Sequence, residues 1–234
     1  MSSQTSSSPV RRSFLTSLNA GVVSLAALAV AGIAKAQVKS TATSRWEPAR
    51  HDKDDWLDQL PGKHRLVFDT IDHDHLADAI LFANNFFRAN QSDYGVPSSD
   101  LAVVIVVRHR STPFGYNDAM WAKYGTTIVG RAKVEDPKSK MAPKVNMYNS
   151  KEHAGLFANR ETTLDSLSKL GVQFAVCGLA SRAYAGSIAE AVGGSADAIL
   201  KELTANLVGN ARIVPAGIVA VTRAQERGYS LVSV

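Results

Sequence analysis

The sequence predicts an α/β fold in which a mostly parallel β-sheet carries helices on both faces. Three observations lead to this prediction. From His64 onward, short apolar segments alternate with amphipathic segments of helical period. Residues 101–107 form an unbroken apolar run rich in β-branched residues, as expected of a central strand that is buried on both faces. The chain has 234 residues, 45% of them hydrophobic, which is enough for one sizeable core.

The first part of this domain contains two strands and two helices. Residues 65–70 form the first strand. The next helix opens at Asp74 and carries its apolar residues on one stripe, namely Leu76, Ile80, Ala83 and Phe87. The run 101–107 is the second strand, and residues 117–124 have the pattern of a short helix.

An irregular excursion at 125–159 divides the domain, because this stretch has two prolines, mixed charges and little periodicity. After it, Thr162 or Thr163 caps a helix that stops at Gly171. The remaining elements follow in order: a strand at 172–177, helices at 182–191 and 196–207, a strand at 211–214, a helix at 218–227 and a closing segment at 229–234.

The N-terminus has the three parts of an export signal. A Ser-rich start is followed by the pair Arg11 and Arg12, then by an apolar run from Leu18 to Ile33, then by small residues up to Ala36. The Arg-Arg-x-Phe-Leu pattern resembles a twin-arginine signal, which engages the twin-arginine export machinery. We therefore expect cleavage after Ala36, a periplasmic location and no stable membrane span in the mature chain. An uncleaved anchor is the alternative, and residues 37–62 are predicted to be a polar extension on the surface.

Charge and cysteine content exclude several functional classes. The chain has 26 basic and 21 acidic residues, but three basic residues and no acid fall within positions 1–36. The remainder is close to neutral and has no long basic run, so no nucleic-acid partner is expected. A single cysteine excludes an intrachain disulfide framework and multi-cysteine metal sites. The short motifs of dinucleotide, serine-hydrolase, zincin and thioredoxin sites are also missing from the sequence.

Residues that could carry chemistry follow the predicted strands. Ligands of open α/β sheets bind at the carboxyl ends of the strands, where loops and helix N-termini converge. Cys177 ends one strand at the start of a helix, a position that favours the reactive thiolate. Arg108, His109 and Arg110 follow the central strand, so His109 is a candidate acid, base, anion clamp or ligand. For Cys177 the alternative is a buried structural role. For His109 and its two neighbouring arginines the alternative is a solvated surface cluster.

Other polar groups have simpler interpretations. His73 and His75 alternate with Asp72 and Asp74 in the manner of a metal cluster, but a helix N-cap formed by Asp72 or Asp74 explains them better. His153 matters only if the excursion folds over the strand ends.

Short motifs in the second half of the chain resemble the DsrE/DsrF-like sulfur-relay family. The most informative pair is Cys177 after the third strand and the Gln-Glu-Arg-Gly-Tyr sequence that ends at Tyr229. The resemblance covers roughly residues 63–234, apart from most of the excursion. It implies a three-layer α/β/α sandwich with a mostly parallel sheet, assembly into a homo-oligomer (a trimer or hexamer), and a persulfide on Cys177.

Two functional hypotheses result, and a purely structural oligomer is a third possibility. The first is an exported DsrE-like protein that binds or transfers sulfur as a persulfide through Cys177. In it, Arg108, His109 and Arg110 are the ligand-binding residues. The alternative is a non-enzymatic periplasmic module that holds a metal or small ligand through His109. Neither hypothesis identifies a cofactor, and no set of metal ligands is assigned.

Overall fold

The computed structural model describes residues 46–234, so the predicted signal peptide 1–36 and the first part of the extension lie outside the described residues. The α-helices are α1 (Trp56–Gln59), α2 (His73–Tyr94), α3 (Asp118–Ala132), α4 (Leu164–Lys169), α5 (Gly178–Val192), α6 (Ala196–Ala205) and α7 (Gly217–Gln225). The strands are β1 (His64–Thr70), β2 (Leu101–Val107), β3 (Gln173–Cys177), β4 (Ala211–Val214) and β5 (Ser230–Ser233). Within this range, no helix has both the length and the apolar character that crossing a membrane requires.

The five strands form one sheet in the order β4-β3-β2-β1-β5, and each neighbouring pair is parallel. β2 lies at the centre, and all seven of its residues are buried. This burial on both faces is the physical reason for its continuous apolar sequence. The predicted α/β fold is confirmed as an all-parallel version of a three-layer α/β/α sandwich.

The strand order determines which face of the sheet each helix covers. From β1 to β4 the chain always moves in the same direction across the sheet. Because such crossovers are right-handed, α2 to α6 all pack on one face. The return from β4 to β5 runs the opposite way and places α7 on the other face. The apolar residues accordingly form two clusters, a large one beneath α2 to α6 and a smaller one beneath α7.

The smaller cluster also includes part of the segment predicted to be a polar surface extension. Trp56 and Leu57 in α1 are both buried there. The hydroxyl of Tyr229 donates to the carbonyl oxygen of Leu57 at 2.8 Å and ties α1 to the chain just before β5. The surrounding residues are mostly polar, which is why sequence reasoning did not predict that α1 belongs to the core.

Helix α3 differs from its predicted form because it continues past Tyr124 to Ala132. Gly125, Gly130 and two threonines weaken the helical propensity of this stretch. Packing outweighs that preference, since Ile128 and Ala132 extend the buried face of the helix. At Gly125 a Cβ atom would collide with the carbonyl oxygen of Pro143, so glycine permits close contact with the following loop.

The irregular segment therefore begins after Ala132, eight residues later than predicted, and it is anchored in the core. Asn146 is fully buried, and its side-chain amide donates to the carbonyl oxygens of Phe114 and Tyr116 at 2.8 and 2.9 Å. Next to it, Tyr148 packs against Phe114 with a ring-centroid distance of 4.9 Å. These contacts hold the segment against the loop that leads into α3.

We expect Asn146→Ala to lower the free energy of unfolding by about 2–3 kcal/mol, because two buried carbonyl groups lose their donor. Urea denaturation monitored by circular dichroism measures this change. Asn85→Ala is the matched control, since Asn85 is exposed on α2 and its replacement should change stability by less than about 0.5 kcal/mol. Equal effects of the two substitutions would contradict the anchoring role of Asn146.

Candidate functional site

A cleft of about 590 Å³ opens at the carboxyl ends of β2, β3 and β4. After β3 the chain enters α5 on one face of the sheet, and after β4 it enters α7 on the other face. The topological switch point therefore lies between β3 and β4. In open α/β sheets this is the position where ligands bind, because the two connections diverge and leave a crevice. The N-terminal residues of α5 and α7 form two sides of this cleft.

Cys177 lies in the wall of the cleft at the junction of β3 and α5. Its side chain is largely buried, and its sulfur caps the helix by accepting the backbone N–H of Ala180 at 3.5 Å. The sulfur thus faces the positive end of the α5 dipole, as predicted from the strand-to-helix transition. Cys177 is the one cysteine of the chain and is not in a disulfide.

Two glycines allow the backbone to close around Cys177. A Cβ atom on Gly178 would lie 2.8 Å from the carbonyl oxygen of Val214, so glycine lets β3 end against the segment after β4. A Cβ atom on Gly217 would lie 2.5 Å from Cβ of Arg108. A side chain at Gly178 would push α5 away from the end of β4, and one at Gly217 would push α7 away from the loop after β2, so either would change the shape of the cleft.

Arg108 lines the cleft, but its charge is already paired. Its Nε and Nη2 atoms donate to the two carboxylate oxygens of Asp69 at 2.6 and 2.8 Å, a bidentate geometry. The hydrogen bonds to Asp69 raise the pKa of Arg108, and the charge of Cys177 acts in the same direction. Arg108 is therefore within electrostatic reach of the sulfur, although Asp69 takes up most of its hydrogen-bonding capacity.

His109 and Arg110 are exposed at the mouth of the cleft. His109 has a φ of 57°, which belongs to the left-handed region that non-glycine residues rarely adopt. The loop is held by Ser111, whose hydroxyl accepts the backbone N–H of Arg108 at 2.9 Å. The structure thus brings all four predicted site residues, Cys177, Arg108, His109 and Arg110, to the same cleft.

Three further polar residues of the cleft were not identified from the sequence. Arg131 and Lys133 lie at the end of α3, and Tyr184 lies on α5. The sequence pattern predicts that this helix ends at Tyr124, which assigns the two cations to the irregular excursion. A correct helix end would have shown that both cations belong to a helix terminus, but no local signal places that terminus at the cleft, and Tyr184 gave no signal beyond an ordinary apolar helix face.

Tyr184 is 1% exposed, and its buried hydroxyl has no hydrogen-bond partner in the described part of the chain. Burial raises the pKa of Tyr184, so the hydroxyl keeps its proton at neutral pH and is available as a donor. The guanidinium of Arg131 lies over the Tyr184 ring, 5.4 Å from its centroid. Arg110 is also close enough for its charge to act on the hydroxyl.

A buried hydrogen-bond chain supports the backbone of Cys177 from behind. The hydroxyl of Tyr116 donates to the hydroxyl of Ser181 at 2.8 Å, and Ser181 donates to the carbonyl oxygen of Cys177 at 2.9 Å. Burial raises the pKa of Tyr116 despite its bond to Ser181, which keeps this phenol neutral. These two hydrogen bonds fix the position of the first turn of α5 relative to β3.

The other groups considered from the sequence are elsewhere. Asp72 is the N-cap of α2, where its carboxylate accepts the backbone N–H of His75 at 3.1 Å, as expected. Trp121, on the helix after the β2 loop, is fully buried in the core and does not line the cleft. His153 is buried beside Asp136, with Nε2 3.2 Å from Oδ2, and is not in the cleft. Across residues 46–234, no group of three or more His, Cys, Asp or Glu side chains is arranged to hold a metal ion.

The cleft therefore combines one thiol with several cations and an apolar wall. A thiol in such surroundings can act as a nucleophile and can hold an anionic sulfur species. Comparisons of the chain with protein-family models, curated proteins and solved structures give no match. Its function is therefore inferred from the residues and geometry of this cleft.

Proposed function

We propose that the protein carries sulfane sulfur as a persulfide on Cys177 and passes it to an acceptor thiol. One observation carries the proposal: the sulfur of Cys177 lies at the N-terminus of α5, in a cleft whose charged side chains are cationic apart from the Asp69 partner of Arg108. Both the helix dipole and the cations stabilise an anion more than a neutral group. A persulfide anion held on Cys177 is stabilised in this position.

The loading step needs no oxidant when the donor already contains sulfane sulfur. With thiosulfate, the Cys177 thiolate attacks the outer sulfur, a new S–S bond forms, and the S–S bond of thiosulfate breaks. Sulfite leaves with the electron pair, and the product is the Cys177 persulfide anion. An acceptor thiolate then attacks the outer sulfur of the persulfide and takes it, which returns the electron pair to Sγ of Cys177.

The setting of this activity is also part of the proposal. We propose that the chain is exported by the twin-arginine route and works in the periplasm as a homo-oligomer, a trimer or hexamer. The Arg11-Arg12 signal supports export, and the resemblance to the sulfur-relay family supports assembly. The acceptor in that compartment is a thiol on another molecule, since the chain has no second cysteine.

The alternative of a binding module based on His109 stays a prediction for small ligands, because His109 lines the same cleft. A metal-binding version has less support, since within residues 46–234 His109 belongs to no group of three or more His, Cys, Asp or Glu side chains that could hold a metal ion.

Intact mass spectrometry tests the proposal on reduced protein treated with thiosulfate or with inorganic polysulfide at pH 6.5. We expect a gain of about 32 Da that maps to the Cys177 peptide and is removed by dithiothreitol. Folded protein should load at least about tenfold faster than protein unfolded in urea, because the cationic cleft that attracts the anionic sulfur donor exists only in the folded chain. Sulfide alone should add nothing, because sulfide and a thiol form a persulfide only with an oxidant.

Loading that is no faster in the folded protein than in urea would contradict the proposal. It would mean that the cleft does not activate the sulfur and that Cys177 serves only packing and helix capping. A gain of mass that maps to another residue would contradict it as well.

A further inference from the structure

The cleft is larger than a sulfur atom or a small inorganic anion requires. Its volume of about 590 Å³ lies within the range of roughly 300–1,000 Å³ that is typical of pockets for organic molecules. Cys177 occupies one part of the wall, and the polar groups at the end of α3 belong to another part. A ligand that reacts at Cys177 therefore has room for an organic body.

Three cations in the cleft have no ion-pair partner within residues 46–234. They are Arg110, Arg131 and Lys133, and the structure gives none of their side chains a hydrogen bond to a carboxylate. Arg108 differs from them because Asp69 neutralises it. Like charges that converge without a carboxylate raise the electrostatic potential of a cleft and favour an anionic ligand.

Tyr184 provides independent evidence for a ligand in this part of the cleft. Its hydroxyl is buried and unpartnered, and leaving such a donor unsatisfied costs about 1–3 kcal/mol. Tyr184 forms part of the cleft wall, under the guanidinium of Arg131. The hydroxyl oxygen is covered by its neighbours, so a ligand that brings an acceptor oxygen to this wall satisfies the hydroxyl once a neighbouring side chain moves aside, and it then also meets the cationic side chains.

Apolar side chains form another part of the wall. Leu179, Ala183 and Ile218 line the cleft on the α5 and α7 sides, and the side chains of Leu179 and Ile218 are 60% and 55% exposed. Such groups favour contact with carbon atoms over contact with a fully hydrated inorganic ion. The wall thus suits a ligand with carbon atoms between its reactive group and its negative charge.

We propose that the substrate of this cleft is a small organic thiol, or its persulfide, that carries carboxylate groups. Arg110, Arg131, Lys133 and the Tyr184 hydroxyl bind the carboxylates, while Leu179 and Ile218 contact the carbon skeleton. The role of the ligand sulfur rests on the proposed function. The Cys177 thiolate attacks the outer sulfur of the organic persulfide, the new S–S bond forms on Cys177, and the organic thiolate leaves with the electron pair. The reverse step returns sulfur to the organic thiol.

Calorimetric titration with S-methylglutathione tests binding without any sulfur transfer. This probe has carboxylates and a peptide body, but its sulfur is blocked. We expect saturable binding to the wild-type protein, and binding within about twofold of that value to Cys177→Ser, since the anionic end does not need the thiol. Affinity should fall as the salt concentration rises, because surface charges contribute to the attraction.

Variants of the cleft identify the groups responsible. We expect the double substitution of Arg131→Gln with Lys133→Gln to weaken binding at least about tenfold, and Tyr184→Phe to weaken it about three- to tenfold. Arg88→Gln removes one exposed cation on α2, outside the cleft, and should leave affinity within about twofold. Tyr184→Phe should not lower the melting temperature, because the hydroxyl has no partner within the described chain.

Several outcomes would overturn the inference. One is the absence of S-methylglutathione binding. Another is equal weakening by Arg88→Gln, which would show an unspecific charge effect. A third is thiosulfate binding that S-methylglutathione does not displace, which would make the cleft a site for inorganic anions. Sulfur loading of Cys177 from polysulfide is a separate measurement, so the proposed function and the organic substrate can fail independently.

Discussion

Cys177→Ser is expected to abolish sulfur loading while leaving the fold intact. Serine cannot form a persulfide, and the variant contains no other thiol. Its hydroxyl can still accept the backbone N–H of Ala180, because serine is among the best helix N-caps. The free energy of unfolding should therefore change by less than about 1 kcal/mol. Intact mass after polysulfide treatment measures loading, and urea denaturation measures stability.

Cys177→Ala is the companion variant, since alanine removes both the sulfur and the cap. It should lose loading as completely as the serine variant and also lose about 0.5–2 kcal/mol of stability. A serine variant that still gains about 32 Da would refute a persulfide on Cys177. A serine variant that fails to fold would instead show that packing around the sulfur dominates, and the alanine variant would then separate packing from capping.

Trp121→Ala is expected to cause the largest loss of stability, about 3–5 kcal/mol. Trp121 is fully buried, its ring centroid lies 5.0 Å from that of Phe114, and its indole N–H donates to the carbonyl oxygen of Pro113 at 3.1 Å. The substitution creates a large cavity under α3 and leaves that carbonyl without its donor. Since the free energy of unfolding of such domains is only about 5–15 kcal/mol, this loss would be a large fraction of the total stability.

The control for this prediction is Tyr94→Ala at the end of α2, where the side chain is 79% exposed. It should change the free energy of unfolding by less than about 0.5 kcal/mol. Urea titration followed by far-ultraviolet circular dichroism compares the two variants with the wild type. A loss below about 1 kcal/mol for Trp121→Ala would contradict the role of this ring as the anchor of α3.

The elements that the sequence predicted well are those whose pattern is set by burial. β2 is apolar at every position because both of its faces are covered, and α2 has a regular apolar stripe because one of its faces is covered. The caps of α2 and α4 were also readable, since Asp72 and Thr163 satisfy free backbone N–H groups within their own helices. All of these signals come from residues that are close together in the chain.

The errors occurred where distant contacts decide the local structure. The last turns of α3 contain glycine and threonine, which disfavour a helix, yet burial of Ile128 and Ala132 maintains it. Trp56 and Leu57 lie in a polar stretch, and their place in the core depends on the position of α7 and on the hydroxyl of Tyr229. The two residues that form such a contact are far apart in the sequence, so no short segment contains both of them.

By itself, the sequence determined the α/β class, the order of the main elements, and the residues at the ends of β2 and β3. Tertiary structure decided that Cys177 shares a cleft with Arg131, Lys133 and Tyr184, and that Asp69 neutralises Arg108. The physical reason is that periodicity and capping depend on residues close together in the sequence, so a single segment is enough to predict them. The charge and hydrogen-bonding balance of a cleft depends on side chains from several segments, and these meet only when the sheet and its crossovers have formed.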